Sequence, residues 1–332
     1  MLRAQISRWG EPSAVVELIE MESPAPGPGE VRVKVEASPI HPSDLLKCRG
    51  LYGYGESVPM PPFWGGVEGV GLVTDAGADV ETPRPGERVI LARLDGIWGD
   101  ELIAPASGLT VLPPELDPLQ GSMLIANPPT AELMLTDFTT LEAGDWVIQN
   151  AANSAVGRHV VSLAKHSGWR TVNLVRRQEA IAPLEAHGGD VVLIDGPELA
   201  TRVADAIDSL GGGALAKLAI DAVGGDATAR IAGCLAPGGT VVNYGLLSGE
   251  DCRVPARLIV FNDIRLQGFL LPRGLKTRSP AEIAALYERL LGLAMDGTLD
   301  VEIEATYPLA EIGAALDHAD RAGRTGKVLI TP

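Results

Sequence analysis

Along the first third of the chain, apolar and polar positions alternate in short runs. From Glu30 to Glu36 the alternation is regular, Glu-Val-Arg-Val-Lys-Val-Glu, the two-residue period of a strand with one buried face. Strand-like runs also fall at Ala14 to Glu20, Val70 to Thr74 and Arg88 to Ala92. Breakers separate them, as in Pro24-Ala25-Pro26-Gly27-Pro28-Gly29 and Pro59-Met60-Pro61-Pro62. More than half of the 25 prolines lie in this part, which predicts a small, irregular β-barrel with long loops. Near Pro118 the pattern changes. Continuous apolar runs now alternate with helical periods, the βαβ signature of a parallel sheet covered on both faces. The runs Trp146 to Gln149, Thr171 to Val175, Val191 to Ile194, Leu218 to Ile220, Thr240 to Tyr244 and Arg265 to Leu270 read as strands. Ala155 to His166, Glu198 to Leu210, Ala227 to Leu235 and Ala281 to Met295 read as helices. After Val301 come a strand, a helix over Leu309 to Ala319 and a last strand, Lys327 to Ile330. The expected fold is α/β: residues 1–117, completed by 301–332, form the barrel, and residues 118–300 form a doubly wound domain.

The first strand of that second domain runs into Asn150-Ala151-Ala152-Asn153-Ser154-Ala155-Val156-Gly157 and then a helix. A doubly wound fold places its phosphate-binding turn there. Small residues let the backbone approach a pyrophosphate, and the helix N-terminus supplies free N–H groups and a positive partial charge. The usual G-x-G-x-x-G becomes Ala152-x-Ser154-x-x-Gly157, keeping only the last glycine, while Ser154 adds a hydroxyl. The next strand ends in Arg176-Arg177. A site for NAD would put an acid there for the ribose 2′-hydroxyl, whereas two guanidinium groups suit a 2′-phosphate. NADPH is therefore the expected cofactor.

The net charge of −16 argues against nucleic acid or an anionic membrane as partner, because both want a cationic face. No stretch approaches the apolar span of a membrane helix. The three cysteines, Cys48, Cys234 and Cys252, are far apart and suit a reducing cytosol, so the expected location is cytoplasmic. The five histidines are scattered. Those at 159, 166, 187 and 318 are expected at the surface, and His41 as structural or as a pocket residue. One histidine without cysteine or acidic company cannot hold zinc, so no metal is expected.

These residues resemble the medium-chain dehydrogenase/reductase superfamily, specifically its zinc-free, mitochondrial-type trans-2-enoyl thioester reductases. The resemblance is carried by Pro42-Ser43-Asp44, Arg49-Gly50-Leu51-Tyr52-Gly53, Gly65-Gly66-Val67-Glu68-Gly69, Asn127-Pro128-Pro129-Thr130-Ala131, Val147 through Gly157, and Asn173 to Arg176. Val67 departs from the pattern, since zinc-bearing relatives have His and the reductases usually Asn at that place. The resemblance implies a GroES-like barrel domain, a Rossmann cofactor domain and a homodimer. It puts Tyr52 in the place of the catalytic tyrosine, with Tyr54 as a rival by proximity. It sets Asn127 near the nicotinamide or its ribose, and Asn153, Ser154, Ala155 and Val156 around the pyrophosphate. Arg176 and Arg177 would hold the 2′-phosphate, with Gln178 where a third basic residue is common. Tyr244, Gly245, Leu246 and Leu247 would face the cofactor, followed by Phe269, Leu270 and Leu271, and Lys327 would reach back to it. Trp64 either narrows the pocket or packs a loop.

The implied reaction is reduction of the C=C bond of a 2-enoyl thioester. Hydride adds to the β-carbon, and a neutral phenol protonates the α-carbon. A zinc-free quinone or enone reductase of the same superfamily is the alternative, and a non-catalytic NADPH-binding protein a more distant one.

Overall fold

The computed structural model describes residues 1–53, 57–92, 94, 96–212 and 215–332. Its contacts divide the chain into two compact units, Met1–Ala126 with Val301–Pro332, and Asn127–Asp300.

In the first unit, strand Glu30–Pro39 buries Val31, Val33 and Val35 and leaves the residues between them more open, as the alternation requires. It pairs antiparallel with Glu68–Ala76 and with Glu101–Pro105. The C-terminal strand Lys327–Ile330 joins the same sheet beside Pro39 and pairs in parallel with Ile303–Tyr307. A second, three-stranded sheet has the order Val16–Glu20, Leu2–Ile6, Phe63–Trp64. The strand expected from Ala14 begins only at Val16, because Pro12 opens a helical turn, Pro12–Val15, at the first helical position that proline favours. One apolar cluster joins Val31, Val33, Val73, Val89, Leu91 and Ile97. Another joins Ile40, Trp98, Leu316, Val328 and Ile330 and so packs the C-terminal segment onto the barrel.

The second unit is a six-stranded parallel sheet in the order Val191–Ile194, Arg170–Val175, Trp146–Gln149, Ala216–Asp221, Leu235–Asn243, Arg265–Gly268. In order of appearance that is 3-2-1-4-5-6, the doubly wound topology. Successive side chains of one strand enter opposite cores: Trp146 and Ile148 lie in one cluster, Val147 in the other. Both faces of the inner strands are therefore dry, which is why those strands read as continuous apolar runs rather than alternating ones. Each fully buried Ile or Val contributes roughly 1.5–3 kcal/mol relative to exposure.

Helix Ala155–His166 starts at Ser154, whose side chain accepts from the Gly157 N–H, and carries Lys165 and His166 in its last turn. Helix Pro280–Met295 starts with a reciprocal Ser279/Glu282 capping box. Helix Asn127–Thr136 has no counterpart in the expected elements; Pro128 and Pro129 fall in its first turn, where proline is tolerated. The strand expected to run to Leu270 stops at Gly268, and Leu271–Lys276 is helical. His159, expected at the surface, is only 2% exposed on the inner face of its helix.

Candidate functional site

The strand Trp146–Gln149 ends at a turn in which Ala151 takes φ 48°, a left-handed conformation that an L-residue adopts at a cost. The Ala152 N–H is fixed by the Leu174 carbonyl at 3.2 Å. Buried Gln149 donates to the Gly157 carbonyl and to Asn173 Oδ1, both at 2.8 Å, and so ties the strand to the start of the helix and to the neighbouring strand. A Cβ on Gly157 would stand 2.5 Å from the Ala152 carbonyl oxygen, so only glycine lets the helix begin this close to the turn. Asn153, Ser154, Ala155 and Val156 are partly exposed around that opening. Arg176 and Arg177 follow the end of strand Arg170–Val175, both exposed. Arg177 pairs with Glu179 at 3.4 Å, while Arg176 has no ion-pair partner among the described residues.

Other expected residues gather at the same ends of the strands. The Tyr244 hydroxyl is hydrogen-bonded to the Ser154 side chain, and burial pushes its phenol well above the usual range against the smaller opposing effect of that bond. The Leu247 N–H is held by the Ala222 carbonyl at 3.2 Å, and the Phe269 N–H by the Asn243 carbonyl at 2.8 Å. Gly245 backs closely onto Ala222, where an added Cβ would be 2.5 Å from the carbonyl oxygen. Leu246, Leu247 and Leu270 are exposed, whereas Phe269 stacks edge-on against Phe138. Leu271 opens the short helix that follows Leu270. Asn127 is 7% exposed, and its Nδ2 has no hydrogen-bond partner among the described residues.

One organising residue escaped the sequence reading. Asp221, with no exposed surface, ends the central strand Ala216–Asp221. Its carboxylate accepts from Asn150 Nδ2 at 2.6 Å, the Thr228 hydroxyl at 2.6 Å, Asn243 Nδ2 at 3.1 Å, and the Val223 and Gly224 N–H groups at 2.9 and 3.2 Å. Asn150 in turn accepts from the Ala222 N–H at 2.8 Å. One carboxylate thus aligns the ends of three strands and the Gly224-Gly225 turn. Burial alone would raise its pKa, and the hydrogen bonds from Thr228, Asn150, Val223 and Gly224 bring it below the usual Asp value. The available signal was an acid at the end of an apolar strand followed by Ala-Val-Gly-Gly.

In the first unit Tyr52 follows the helix Pro42–Cys48 and is half-buried. Burial raises its phenol pKa, and the nearby Asp44 charge raises it further. The Lys47 ammonium lies over the ring, 5.4 Å from its centroid. Tyr54, the rival acid, lies outside the described residues. Lys327, expected to reach a cofactor, is buried, and its ammonium donates to His41 Nδ1 at 3.0 Å. The ring proton is then on Nε2, which meets Glu68 Oε1 at 2.6 Å. Glu68 Oε2 accepts from the Ile125 and Ala126 N–H groups, both at 2.9 Å. Burial lowers the Lys327 pKa to about 8, with Glu68 and Asp44 opposing. His41 is therefore a buried structural link. No three metal-ligating side chains come together among the described residues.

Residues 27–105 match the family model for the alcohol dehydrogenase GroES-like domain, and residues 155–290 the one for zinc-binding dehydrogenases. The mitochondrial enoyl-[acyl-carrier-protein] reductase of Rattus norvegicus is 34% identical over 313 residues, which is 93% of this chain and 82% of the relative. Among solved structures, the complex of Etr1p with NADP and crotonyl-CoA superposes with a TM-score of 0.87 at 25% identity, covering 100% of this chain and 99% of the other. A Bacillus thuringiensis protein described as an NADPH:quinone reductase superposes with a TM-score of 0.88 at 27% identity, over 100% of this chain and 98% of the other.

Proposed function

We propose that this chain, which belongs to the medium-chain dehydrogenase/reductase superfamily with mitochondrial-type enoyl thioester reductases as relatives, reduces 2-enoyl thioesters to saturated acyl thioesters with NADPH. The observation that carries the reading is the match to an enoyl reductase along most of both chains, over 93% of this chain and 82% of the relative.

The residues of the second unit fit NADPH. The small-residue turn and the capped helix behind it leave room and donors for a pyrophosphate. Exposed Arg176, with no ion pair of its own among the described residues, suits a 2′-phosphate, with Arg177 beside it. Asn127 offers a buried N–H donor that lacks an acceptor among the described residues, and such a group costs about 1–3 kcal/mol until one arrives. Tyr244, Gly245, Leu246, Leu247, Phe269, Leu270 and Leu271 complete the cofactor-facing set in this proposal. Bound NADPH supplies the hydride that adds to the β-carbon.

Tyr52 supplies the proton. Its Oη–H stays protonated at neutral pH, because burial and Asp44 both disfavour the phenolate. It gives that proton to the α-carbon and regains one from water. Reduction then needs no further acid, and the phenol contributes within the usual range for a positioned general acid, roughly 10²–10⁴-fold.

We further infer a homodimer. The edge strand Arg265–Gly268 carries Leu266 at 42% exposure, and the adjoining helix Ala256–Asn262 exposes Ile259, Val260 and Phe261, the last at 82%. An apolar edge of this kind invites pairing with another strand. Three unpaired cysteines suit a reducing compartment, the cytosol, and no helix among the described residues is long and apolar enough to cross a membrane.

The test follows NADPH oxidation at matched concentrations of crotonyl-CoA, a short enone and a quinone, each repeated with NADH. The expected result is at least tenfold higher kcat/KM for crotonyl-CoA, and for NADPH over NADH. Fastest turnover with the quinone or enone replaces this reading with the related reductase. Tight NADPH binding without turnover on any acceptor makes the chain a non-catalytic binder.

A further inference from the structure

A cavity of about 470 Å³ lies within the first unit, in the size range of small-molecule sites. Most of the side chains that line it are apolar, Pro59, Phe63, Trp64, Val67 and Trp98 among them, although backbone and charged groups make nearly half of its surface polar. The polar exceptions of note are Asp44 and Lys47. Those two residues also surround Tyr52: Asp44 acts on its phenol and Lys47 lies over its ring. The cavity and the proposed proton donor therefore have these two neighbours in common. A thioester whose reacting carbons lie at Tyr52 has one apolar part to dispose of, its acyl chain.

From this geometry, and resting on the thioester reading above, we propose that the cavity takes the acyl chain and that Trp64 is the residue that limits chain length. Trp64 is held on several sides. Its backbone pairs with Gln5 across the small sheet, and the Arg3 guanidinium lies 4.4 Å from the ring centroid. Arg3 is itself tied to the Gly96 carbonyl at 3.0 Å. A Cβ on Gly96 would stand 2.2 Å from Trp64 Cβ, so the turn at Gly96 presses directly on the indole's base. Next along the chain, Gly65 packs against Trp98, which is 1% exposed: a Cβ on Gly65 would stand 2.2 Å from that ring. The wall cannot retreat into a packed interior, because such cores repack poorly. Val67 adds an apolar side chain where the resembled families have a polar one, which removes a competing partner for a thioester or a water.

A rigid wall gives a cut-off rather than a gradient. Up to the cut-off, each buried methylene is worth roughly fourfold in binding, the equivalent of its transfer free energy. Taking a chain carbon as roughly a water's share of liquid volume, about 30 Å³, the space holds on the order of ten chain carbons once packing gaps are allowed for. Beyond that length, added carbons meet the indole.

The test is kcat/KM for trans-2-enoyl-CoA thioesters from four to sixteen carbons, followed by NADPH oxidation, with the unaltered enzyme, Trp64→Ala and Trp64→Phe. In the unaltered enzyme the values should rise with length and then fall. Trp64→Ala should move the maximum to longer chains and raise the sixteen-to-eight-carbon ratio at least tenfold, with Trp64→Phe between the two. A ratio in Trp64→Ala within twofold of the unaltered enzyme overturns the assignment of Trp64. If Trp64→Ala does not fold, Trp64→Phe and Trp64→Leu carry the same comparison, and an unchanged ratio in both overturns it equally. Failure of the unaltered enzyme to reduce any of these thioesters overturns the functional reading, which is a separate result from a length profile that ignores position 64.

Discussion

Replacing Asp221 by Asn is the sharpest test of how the second unit is organised. The carboxamide keeps one oxygen for Asn150, Val223 and Gly224, but it turns an NH₂ toward the Thr228 hydroxyl and Asn243 Nδ2. Thr228 can rotate and accept. Asn243 cannot do so cheaply, because the same Nδ2 already donates to the Gly245 carbonyl at 3.1 Å. One buried donor therefore faces another, at a cost of about 1–3 kcal/mol. For a unit of this size, roughly 2 kcal/mol lowers the melting temperature by about 4–8 °C. Thr228→Val, which deletes one donor and strands none, should cost about 1 kcal/mol. The pH dependence sharpens the assay. Asp221 has a folded pKa below its ordinary value of 3.8, so its contribution is complete above that value and is lost as pH falls through the folded one. The gap between the unaltered protein and Asp221→Asn should stay constant from neutral pH down to about 5 and close below 4. The measurement is thermal unfolding across that range, with NADPH affinity by fluorescence titration alongside; the affinity should drop several-fold, because Asn150 starts the cofactor turn. A melting point within 2 °C of the unaltered protein at neutral pH would refute the view that this carboxylate aligns the strand ends.

Four further perturbations separate the parts of the proposal. Tyr52→Phe should lower kcat at least a hundredfold and leave NADPH affinity within twofold in equilibrium titration; unchanged turnover removes Tyr52 and turns attention to Tyr54. Arg176→Ala should weaken NADPH binding about tenfold or more and leave NADH binding unchanged, so an equal effect on both would deny it the 2′-phosphate. Phe261→Glu should halve the mass measured by light scattering, and a retained dimer would rule out the exposed edge as the interface. Lys327 is half-protonated near pH 8 in the folded protein because burial lowers it from 10.5. Between those values the unfolded chain binds more protons, so stability should rise with pH there relative to Lys327→Met; parallel curves would mean that Lys327 titrates normally.

The doubly wound half was legible because its physics is local. Strands covered on both faces must be apolar throughout, and the helices between them carry their own period, so Trp146–Gln149, Val191–Ile194 and Ala155–His166 fall where the pattern put them. Where neighbours decide, the pattern failed. Pro128 and Pro129 punctuate most contexts, yet in the first turn of a helix they cost nothing, and only the path of the chain reveals which case holds. His159 sits on a helical face whose burial depends on what packs against it. The site divides in the same way. The cofactor turn and the two arginines form one contiguous strand–turn–helix–strand stretch, so their roles could be argued from residue type and order. Asp221 and the Lys327–His41–Glu68 chain work by contacts between residues far apart in sequence, 71 positions for Asp221 and Asn150 and 286 for Lys327 and His41. No pattern of types along the chain encodes such a pairing. Lys327 shows the consequence. The resemblance points it toward a cofactor, and no pattern along the chain shows that burial also gives its ammonium His41 and Ile40 as partners. The partners of a charged residue are legible along a chain only when its neighbours in sequence supply them, and those of Lys327 lie 286 and 287 positions away.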